Sequence, residues 1–227
     1  MLIAIPSVFS KTEISKLNQH LAQGEWTSGQ TTAGEQARTV KQNQQLADDS
    51  TLAQQLGDIV LDALARHPLF VSAALPLKIF PPMFNRYQGG ETYGQHVDNA
   101  VRFVPGTATR VRSDLSATLF LSEPEDYEGG ELVIEEQFGQ QQVKLGAGDM
   151  ILYPSSSLHQ VTPVTSGNRV SVVLWMQSMV RDNEQRAMLF NLDQSVQSLT
   201  RQHGHQDENV MQLTALYQNL IRQWADT

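Results

Sequence analysis

The chain contains no cysteine among its 227 residues. Disulfides, thiolate metal sites and a cysteine nucleophile are therefore excluded. A cysteine-free chain fits a reducing compartment, so we expect a cytoplasmic protein. The apolar N-terminus is short and lacks both a basic segment and a small-residue cleavage site, so we expect no signal peptide.

Long apolar runs and an excess of positive charge are also missing. No apolar stretch reaches the ~18 residues that would span a bilayer. The net charge of −8 argues against a general binder of nucleic acid or anionic membranes. We therefore expect neither nucleic acid nor a membrane as partner. With 40% hydrophobic and 18% charged residues, the composition is that of a globular protein that buries a sizeable core.

The first part of the chain, residues 1–75, predicts an N-terminal helical support region. A capping box at Ser10–Glu13 predicts the start of one helix. The polar stretch 27–45 predicts a surface loop or hairpin, and a second helix is expected to start at Asp49 or Ser50. The buried face of this second helix is assigned to Leu52, Leu56, Ile59, Val60 and Leu64.

The middle part, residues 76–180, has the alternation of a β-protein. Apolar residues recur with a period of two, and glycine-rich or proline-rich turns separate the segments. Candidate strands cover 77–88, 93–98, 115–122, 130–136, 141–145, 149–153, 158–163 and 169–179. About eight short strands indicate a double-stranded β-helix, or jelly roll, whose interior positions can line a pocket.

The last part, residues 181–227, is again helical. Apolar residues at helical spacing predict amphipathic helices over 183–200 and 207–224, which form a C-terminal helical hairpin. The fold class is therefore mainly β with flanking helices. The hairpin either supports the barrel or makes a homodimer contact, and the sequence leaves both alternatives open.

The candidate chemistry begins with a His-x-Asp triplet at His96 and Asp98. In a strand, residues two apart project from the same face. An imidazole and a carboxylate on one face supply two of the three protein ligands in the facial arrangement that binds non-haem Fe(II). The triplet alone also fits a surface strand with two polar residues. A later strand–turn–strand returns His159 to the barrel, which completes a set of two histidines and one carboxylate.

A buried cation is predicted downstream of the histidine. Arg169 follows His159 by ten residues and shares a strand face with Ser171. An arginine inside a barrel is costly unless it is paired with an anion. Its planar fork can grip a carboxylate with two hydrogen bonds, and Ser171 can add a third. The alternative is a structural arginine paired with an internal Asp or Glu.

The order of these motifs resembles the Fe(II)/2-oxoglutarate dioxygenase superfamily. The run 85–98, in which a tyrosine precedes a Gly-Gly turn and the triplet, resembles the prolyl-4-hydroxylase branch. The segments 120–122 and 127–132 fit the same branch. The resemblance is strongest to the bacterial PKHD-type hydroxylase family, in which a helical tail follows the oxygenase core.

This resemblance implies a set of roles. His96, Asp98 and His159 are expected to be the catalytic iron ligands, and Arg169 is expected to anchor 2-oxoglutarate, assisted by Tyr87. Asp98 favours hydroxylation, because related halogenases have a small residue there. The implied enzyme uses O2 and 2-oxoglutarate to hydroxylate a peptidyl, amino-acid or small-molecule substrate. L-Ascorbate is implied as a reductant, and a link to iron homeostasis is implied as well.

Two rival functions and one basic segment stay open. A cupin-like metal-binding or sensing protein without turnover is one rival, but a cupin pattern has His-x-His and a later Glu, whereas this chain has Asp98 and Arg102. A metal-independent structural module is the other. Arg102, Arg110 and Arg112 lie in a predicted loop that either receives an acidic substrate or a peptide backbone or is simply solvated.

Overall fold

Two antiparallel β-sheets form the core of the protein. The structure is a computed structural model that describes residues 1–32, 38–47, 49–136 and 139–227. The strands are β1 (Ile3–Ile5), β2 (Trp26–Ser28), β3 (Lys41–Gln42), β4 (Gln44–Leu46), β5 (Pro76–Ile79), β6 (Met83–Gln88), β7 (Thr92–His96), β8 (Val101–Phe103), β9 (Arg110–Arg112), β10 (Leu115–Phe120), β11 (Tyr127–Gly129), β12 (Leu132–Glu136), β13 (Gly139–Val143), β14 (Met150–Pro154), β15 (His159–Val161) and β16 (Val164–Ser178).

The two sheets differ in size and pack against each other. The large sheet has the order β1-β14-β10-β16-β6-β4-β2, with β5 and β11 also paired to β16, and the small sheet has the order β13-β12-β15-β7-β3. Phe120 and Tyr153 of the large sheet join Leu132 and Val161 of the small sheet in one buried apolar cluster. Strands β8 and β9 form a separate hairpin.

Five α-helices of the described residues flank these sheets. They are α1 (Lys11–Leu21), α2 (Thr51–Ala65), α3 (Pro68–Ala74), α4 (Asn183–His203) and α5 (Glu208–Trp224). The predicted capping box is present, because the Ser10 backbone N–H donates to the Glu13 carboxylate at 2.8 Å and the Ser10 side chain accepts from the Glu13 backbone. Ser50 caps α2. The mainly β class with flanking helices is confirmed.

The helices cover the outer face of the large sheet. Leu17 of α1 and Leu56 of α2 pack in one cluster with Leu119, Leu152 and Leu174 from the central strands. Each fully buried leucine contributes roughly 1.5–3 kcal/mol through removal of apolar surface from water. The central strands are therefore buried on both faces, which holds their inner side chains in place.

Three local predictions are wrong. The predicted strand 77–88 is split into β5 and β6 at Pro81-Pro82, because proline has no N–H to donate to a sheet. Ile59 is 48% exposed and does not belong to the buried face of α2. Strand β16 begins at Val164, so residues 164–168, which were predicted to separate two strands, lie inside it.

The N-terminal 75 residues contribute strands as well as helices. Strands β1, β2 and β4 join the large sheet, and β3 joins the small sheet. The predicted loop or hairpin over 27–45 thus supplies β3, β4 and most of β2, while its residues 33–37 lie outside the described part of the chain. Pro68 starts the additional helix α3, a position where its fixed φ suits the first turn.

The predicted C-terminal hairpin is confirmed. Helices α4 and α5 pack together, and Leu189 of α4 is buried against Leu75 and Val180 at the end of the barrel. Gly204 ends α4 with a φ of +84°, a conformation that glycine adopts without strain. Across the described residues, no helix combines the length and the apolar character that crossing a membrane requires.

Candidate active site

A cavity of about 700 Å³, including its open mouth, lies between the two sheets. Each of the residues predicted to bind the metal ion or 2-oxoglutarate, apart from Ser171, lines this cavity directly. Those that line it are Tyr87, His96, Asp98, His159 and Arg169. Ser171 is fully buried and contacts Arg169. The fold therefore brings the predicted site residues together.

The two histidines and the aspartate converge on one point of the wall. His96 of β7 and His159 of β15 are direct partners across the small sheet, and their ring centroids are 4.3 Å apart. Asp98 Oδ2 lies 3.7 Å from His159 Nε2. One ligand atom from each of the three residues lies within 4.8 Å of the others, so the group could hold a metal ion.

The route by which Asp98 reaches the site differs from the prediction. The strand was expected to continue through Asp98, but β7 ends at His96. Asp98 follows in an irregular segment, and its carboxylate accepts a hydrogen bond from Ser116 Oγ at 2.6 Å. Ser155 Oγ is 2.7 Å from Ser116 Oγ, so two serines support the carboxylate.

Both imidazoles are oriented by backbone carbonyl groups. His96 Nδ1 lies 2.8 Å from the Gly94 oxygen, and His159 Nδ1 lies 3.0 Å from the Ser157 oxygen. A carbonyl oxygen can only accept, so each Nδ1 carries a proton and each Nε2 is the ring atom that could bind a metal ion. This is the supporting arrangement that metal-binding histidines use.

The surroundings of His96 keep its ring neutral. Burial, with the neighbouring His159 acting in the same direction, lowers the pKa of His96 to about 4. Tyr93 stacks on the His96 ring at a centroid distance of 3.6 Å and an angle of 15°. A neutral, fixed imidazole is the form that binds a metal ion.

Arg169 is a buried cation in the same cavity. It is 1% exposed; its Nε donates to the Gly130 oxygen and its Nη1 donates to Ser171 Oγ, both at 2.8 Å. Within the described ranges, no carboxylate oxygen lies within 4.0 Å of its guanidinium. The described residues therefore do not support the alternative of an internal ion pair. The guanidinium charge of Arg169 faces a cavity that an anion can enter.

Tyr87 and Gly130 complete the surroundings of this arginine. Tyr87 is the register partner of Arg169 in the large sheet, and its ring centroid is 5.2 Å from the guanidinium carbon. Burial raises the pKa of Tyr87 to about 12, so its hydroxyl stays protonated and can donate. A Cβ on Gly130 would lie 2.9 Å from Arg169 Cδ, so only glycine leaves room for the side chain.

The basic segment predicted as a loop is the β8–β9 hairpin, and its three arginines differ. Arg102 lines the cavity, and its guanidinium carbon lies 3.3 Å from the Trp175 ring centroid. Arg112 pairs with Asp114 at 2.7 Å, and Arg110 lies over Phe103. Only Arg102 is placed to meet a molecule in the cavity.

Comparisons with known proteins show the family to which the chain belongs. Residues 82–177 match the family model of the 2OG-Fe(II) oxygenase superfamily, and residues 183–226 match the PKHD-type hydroxylase C-terminal domain. A PKHD-type hydroxylase of Methylobacillus flagellatus is 56% identical over 227 residues, which cover 100% of both chains. The chain belongs to the PKHD-type hydroxylases. It is therefore an oxidoreductase of the 2-oxoglutarate–Fe(II) oxygenase superfamily, and the two rival functions are set aside.

Solved structures show the same fold. A Pseudomonas putida prolyl-4-hydroxylase aligns with a TM-score of 0.50 and 20% identity over 78% of this chain and 92% of that one. HygX of Streptomyces hygroscopicus, solved with nickel and 2-oxoglutarate bound, aligns with a TM-score of 0.51 and 16% identity over 79% of this chain and 84% of that one. The predicted jelly-roll core of a 2-oxoglutarate–Fe(II) oxygenase is thereby confirmed.

Proposed function

We propose that His96, Asp98 and His159 hold the catalytic Fe(II) of this hydroxylase. The observation that carries the proposal is their convergence on one side of the cavity, with ligand atoms within 4.8 Å of one another and both Nε2 atoms free to bind. Two neutral imidazoles and one carboxylate form the ligand set of non-haem Fe(II) oxygenases. Three protein ligands leave positions open for a co-substrate and for O2.

Arg169 is the proposed anchor of 2-oxoglutarate, with Ser171 and Tyr87 as further contacts. The guanidinium is buried, and in the described part of the chain no carboxylate lies within 4.0 Å of it. A dicarboxylate that entered the cavity would supply the missing negative charge. Ser171 Oγ already accepts from Arg169 Nη1, which holds the fork in one orientation.

The residues of the cavity then have separate roles in the reaction. When bound, Fe(II) and 2-oxoglutarate supply the activation of O2, which converts 2-oxoglutarate to succinate and CO2 and transfers one oxygen atom to a substrate C–H bond. His96, Asp98 and His159 set the open positions, and Arg169 fixes the co-substrate. Asp98 fills the ligand position that is small in related halogenases, which supports hydroxylation.

The substrate belongs to the class of peptidyl or amino-acid side chains or small molecules. The prolyl-4-hydroxylase of Pseudomonas putida shares the fold, and its name supports a prolyl or other amino-acid target here. Fold alone does not determine the substrate. L-Ascorbate as reductant and a link to iron homeostasis stay predictions of the family resemblance, and a cytoplasmic location stays a prediction from the absence of cysteine.

The assembly is also part of the proposal. We keep the division into a support region (1–75), an oxygenase core (76–180) and a helical extension (181–227). Exposed apolar side chains on the two C-terminal helices support a homodimer contact there. They are Met188, Met211 and Leu216.

An anaerobic titration tests the proposed chemistry. Addition of Fe(II) and then 2-oxoglutarate should produce the weak visible absorption band of their complex, and admission of O2 should yield succinate. Glutarate in place of 2-oxoglutarate is the matched control, because it lacks only the 2-oxo group and should give no band. Absence of both the band and succinate formation would contradict the proposal.

A further inference from the structure

Two buried donors in the cavity have no acceptor. Arg102 and Trp175 both line it, and neither Arg102 Nε nor Trp175 Nε1 has a hydrogen-bond partner among the residues that the structure describes. A buried donor without an acceptor costs about 1–3 kcal/mol, so such groups are uncommon unless a ligand or water satisfies them. Two of them side by side indicate that a bound molecule supplies acceptor atoms there.

Stacking fixes the position of these donors. The Arg102 guanidinium carbon is 3.3 Å from the Trp175 ring centroid and 5.4 Å from that of Phe80. Phe80 in turn packs edge-on against Trp175, with centroids 6.1 Å apart. The guanidinium N–H groups lie in one plane, and the Trp175 ring covers the face of that plane. The N–H groups therefore remain available to a hydrogen-bond partner at its edge.

The charged residues of the cavity indicate the sign of the charge on the bound molecule. Among the described lining residues, Asp98 is the only carboxylate, whereas Arg169, Arg102 and Lys41 are cationic. The two charges of Fe(II) and those of the 2-oxoglutarate dianion cancel, and Asp98 offsets Arg169. The charge of Arg102 is then left without a carboxylate in the cavity, and buried charge of this kind is costly.

Arg102 carries its charge against a desolvation cost. Burial lowers the pKa of Arg102, and Asp98 partly opposes this change. Because Asp98 is also a proposed metal ligand, Arg102 has no carboxylate of its own among the described residues that line the cavity.

We propose that the substrate of this enzyme carries an oxyanion, a carboxylate or a phosphate, which Arg102 and Trp175 bind. The inference rests on the proposed function, because its charge balance assumes bound Fe(II) and 2-oxoglutarate. The oxyanion fills the two unpaired donors and neutralises the excess charge at once.

Matched probes test the anion requirement. The full-length protein is loaded anaerobically with Fe(II) and 2-oxoglutarate, and N-acetyl amino acids, their amides and N-acetyl-O-phosphoserine amide are titrated. Binding is followed by calorimetry and by changes in the visible band. We expect the anionic probes to bind at least tenfold more tightly than the neutral amides. Preference for the free carboxylate or for the phosphate identifies the source of the oxyanion.

Variants on one hairpin separate the local role from a general charge effect. Arg102→Gln should weaken the anionic probes at least tenfold and bring them level with the amides, and Arg102→Lys should retain part of the preference. Arg110→Gln is the matched control, because it removes the same charge from the same hairpin at an exposed position. Trp175→Phe keeps the ring but removes Nε1, so a loss of a few fold is expected.

The outcomes separate the two hypotheses. Equal affinity for anionic and neutral probes, an equal effect of Arg110→Gln, or no binding of any probe to the loaded enzyme would each overturn the inference while the visible band still forms. Retention of the anion preference in Arg102→Gln would overturn it as well. Absence of the band in the unchanged protein would instead overturn the proposed function and, with it, this inference. Unfolding temperatures of all variants show whether any loss is due to misfolding.

Discussion

One fully buried arginine lies in each of two regions of this protein. Arg169 belongs to the barrel cavity, Arg186 belongs to α4 of the C-terminal hairpin, and each is 1% exposed. Arg186 Nη1 donates to the Val180 oxygen at 2.7 Å, and Nη2 donates to Asn183. Burial lowers the pKa of Arg186, while Asp114 and Asp182 oppose the change.

The contrast shows which buried cations indicate a ligand. Arg186 is held at its own helix terminus, where the Val180 oxygen and the Asn183 side chain accept from it, and it does not line the barrel cavity. Arg169 also has hydrogen bonds, and in the described part of the chain neither arginine has a carboxylate within 4.0 Å, but Arg169 opens on the cavity. A buried charge without a close carboxylate thus suggests binding when a space accompanies it.

The largest effect is expected from the proposed metal ligands. His96→Ala or Asp98→Ala should weaken iron binding by more than the ~100-fold that loss of a supporting contact costs, because a direct ligand is removed. Bound iron is measured after anaerobic desalting. His203→Ala, at the exposed end of α4, is the control from the other region and should bind iron normally. Full iron occupancy in Asp98→Ala would contradict the assigned role.

The two arginines should fail in different ways. Arg169→Ala should weaken 2-oxoglutarate roughly 100-fold, since charge-assisted hydrogen bonds contribute ~1.5–3 kcal/mol each and 1.4 kcal/mol is a factor of ten. Iron binding should persist. Arg186→Ala should instead lower the free energy of unfolding by about 2–4 kcal/mol and leave 2-oxoglutarate affinity unchanged. Calorimetric titration measures 2-oxoglutarate affinity, and denaturant unfolding measures the free energy of unfolding. The same change in both variants would contradict the distinction between the two arginines.

A smaller effect is expected from the support of the carboxylate. Ser116→Ala removes the 2.6 Å hydrogen bond to Asp98, and loss of such a partner weakens a metal site about 10-fold. Ser195→Ala in α4 removes a hydroxyl that donates to the Asn191 oxygen in an exposed turn and serves as the matched control. Iron dissociation constants for the two variants decide the point. Equal values would show that Ser116 does not hold the ligand.

The chemical residues were predictable because their order along the chain is itself informative. His96, Asp98, His159 and Arg169 carry types of side chain that are costly inside a barrel without a ligand, and their spacing matched predicted strands. Their neighbours were not predictable in this way. Ser116 lies in a predicted strand and resembles any small polar residue until the fold brings it to Asp98, 18 positions away in the chain.

The errors have the same origin. Ile59 fits a helical apolar stripe, yet only the packed structure shows that the large sheet does not reach it. Gly167 reads as a turn, but it lies within β16 with a φ of +71°, where a Cβ would meet the Asp126 oxygen at 2.0 Å. Local sequence patterns indicate a preference for helix, strand or turn. Contacts with distant residues decide which of these conformations forms.

The sequence by itself determined the fold class and the family and predicted the chemical identity of the site, because strand alternation, helix caps and the order of ligand-type residues are properties of the chain. Tertiary structure alone decided how the site is supported. The serine pair behind Asp98 and the stack of Arg102 on Trp175 join residues far apart in the chain. No local pattern encodes such pairs, since their energy exists only once the sheets have closed.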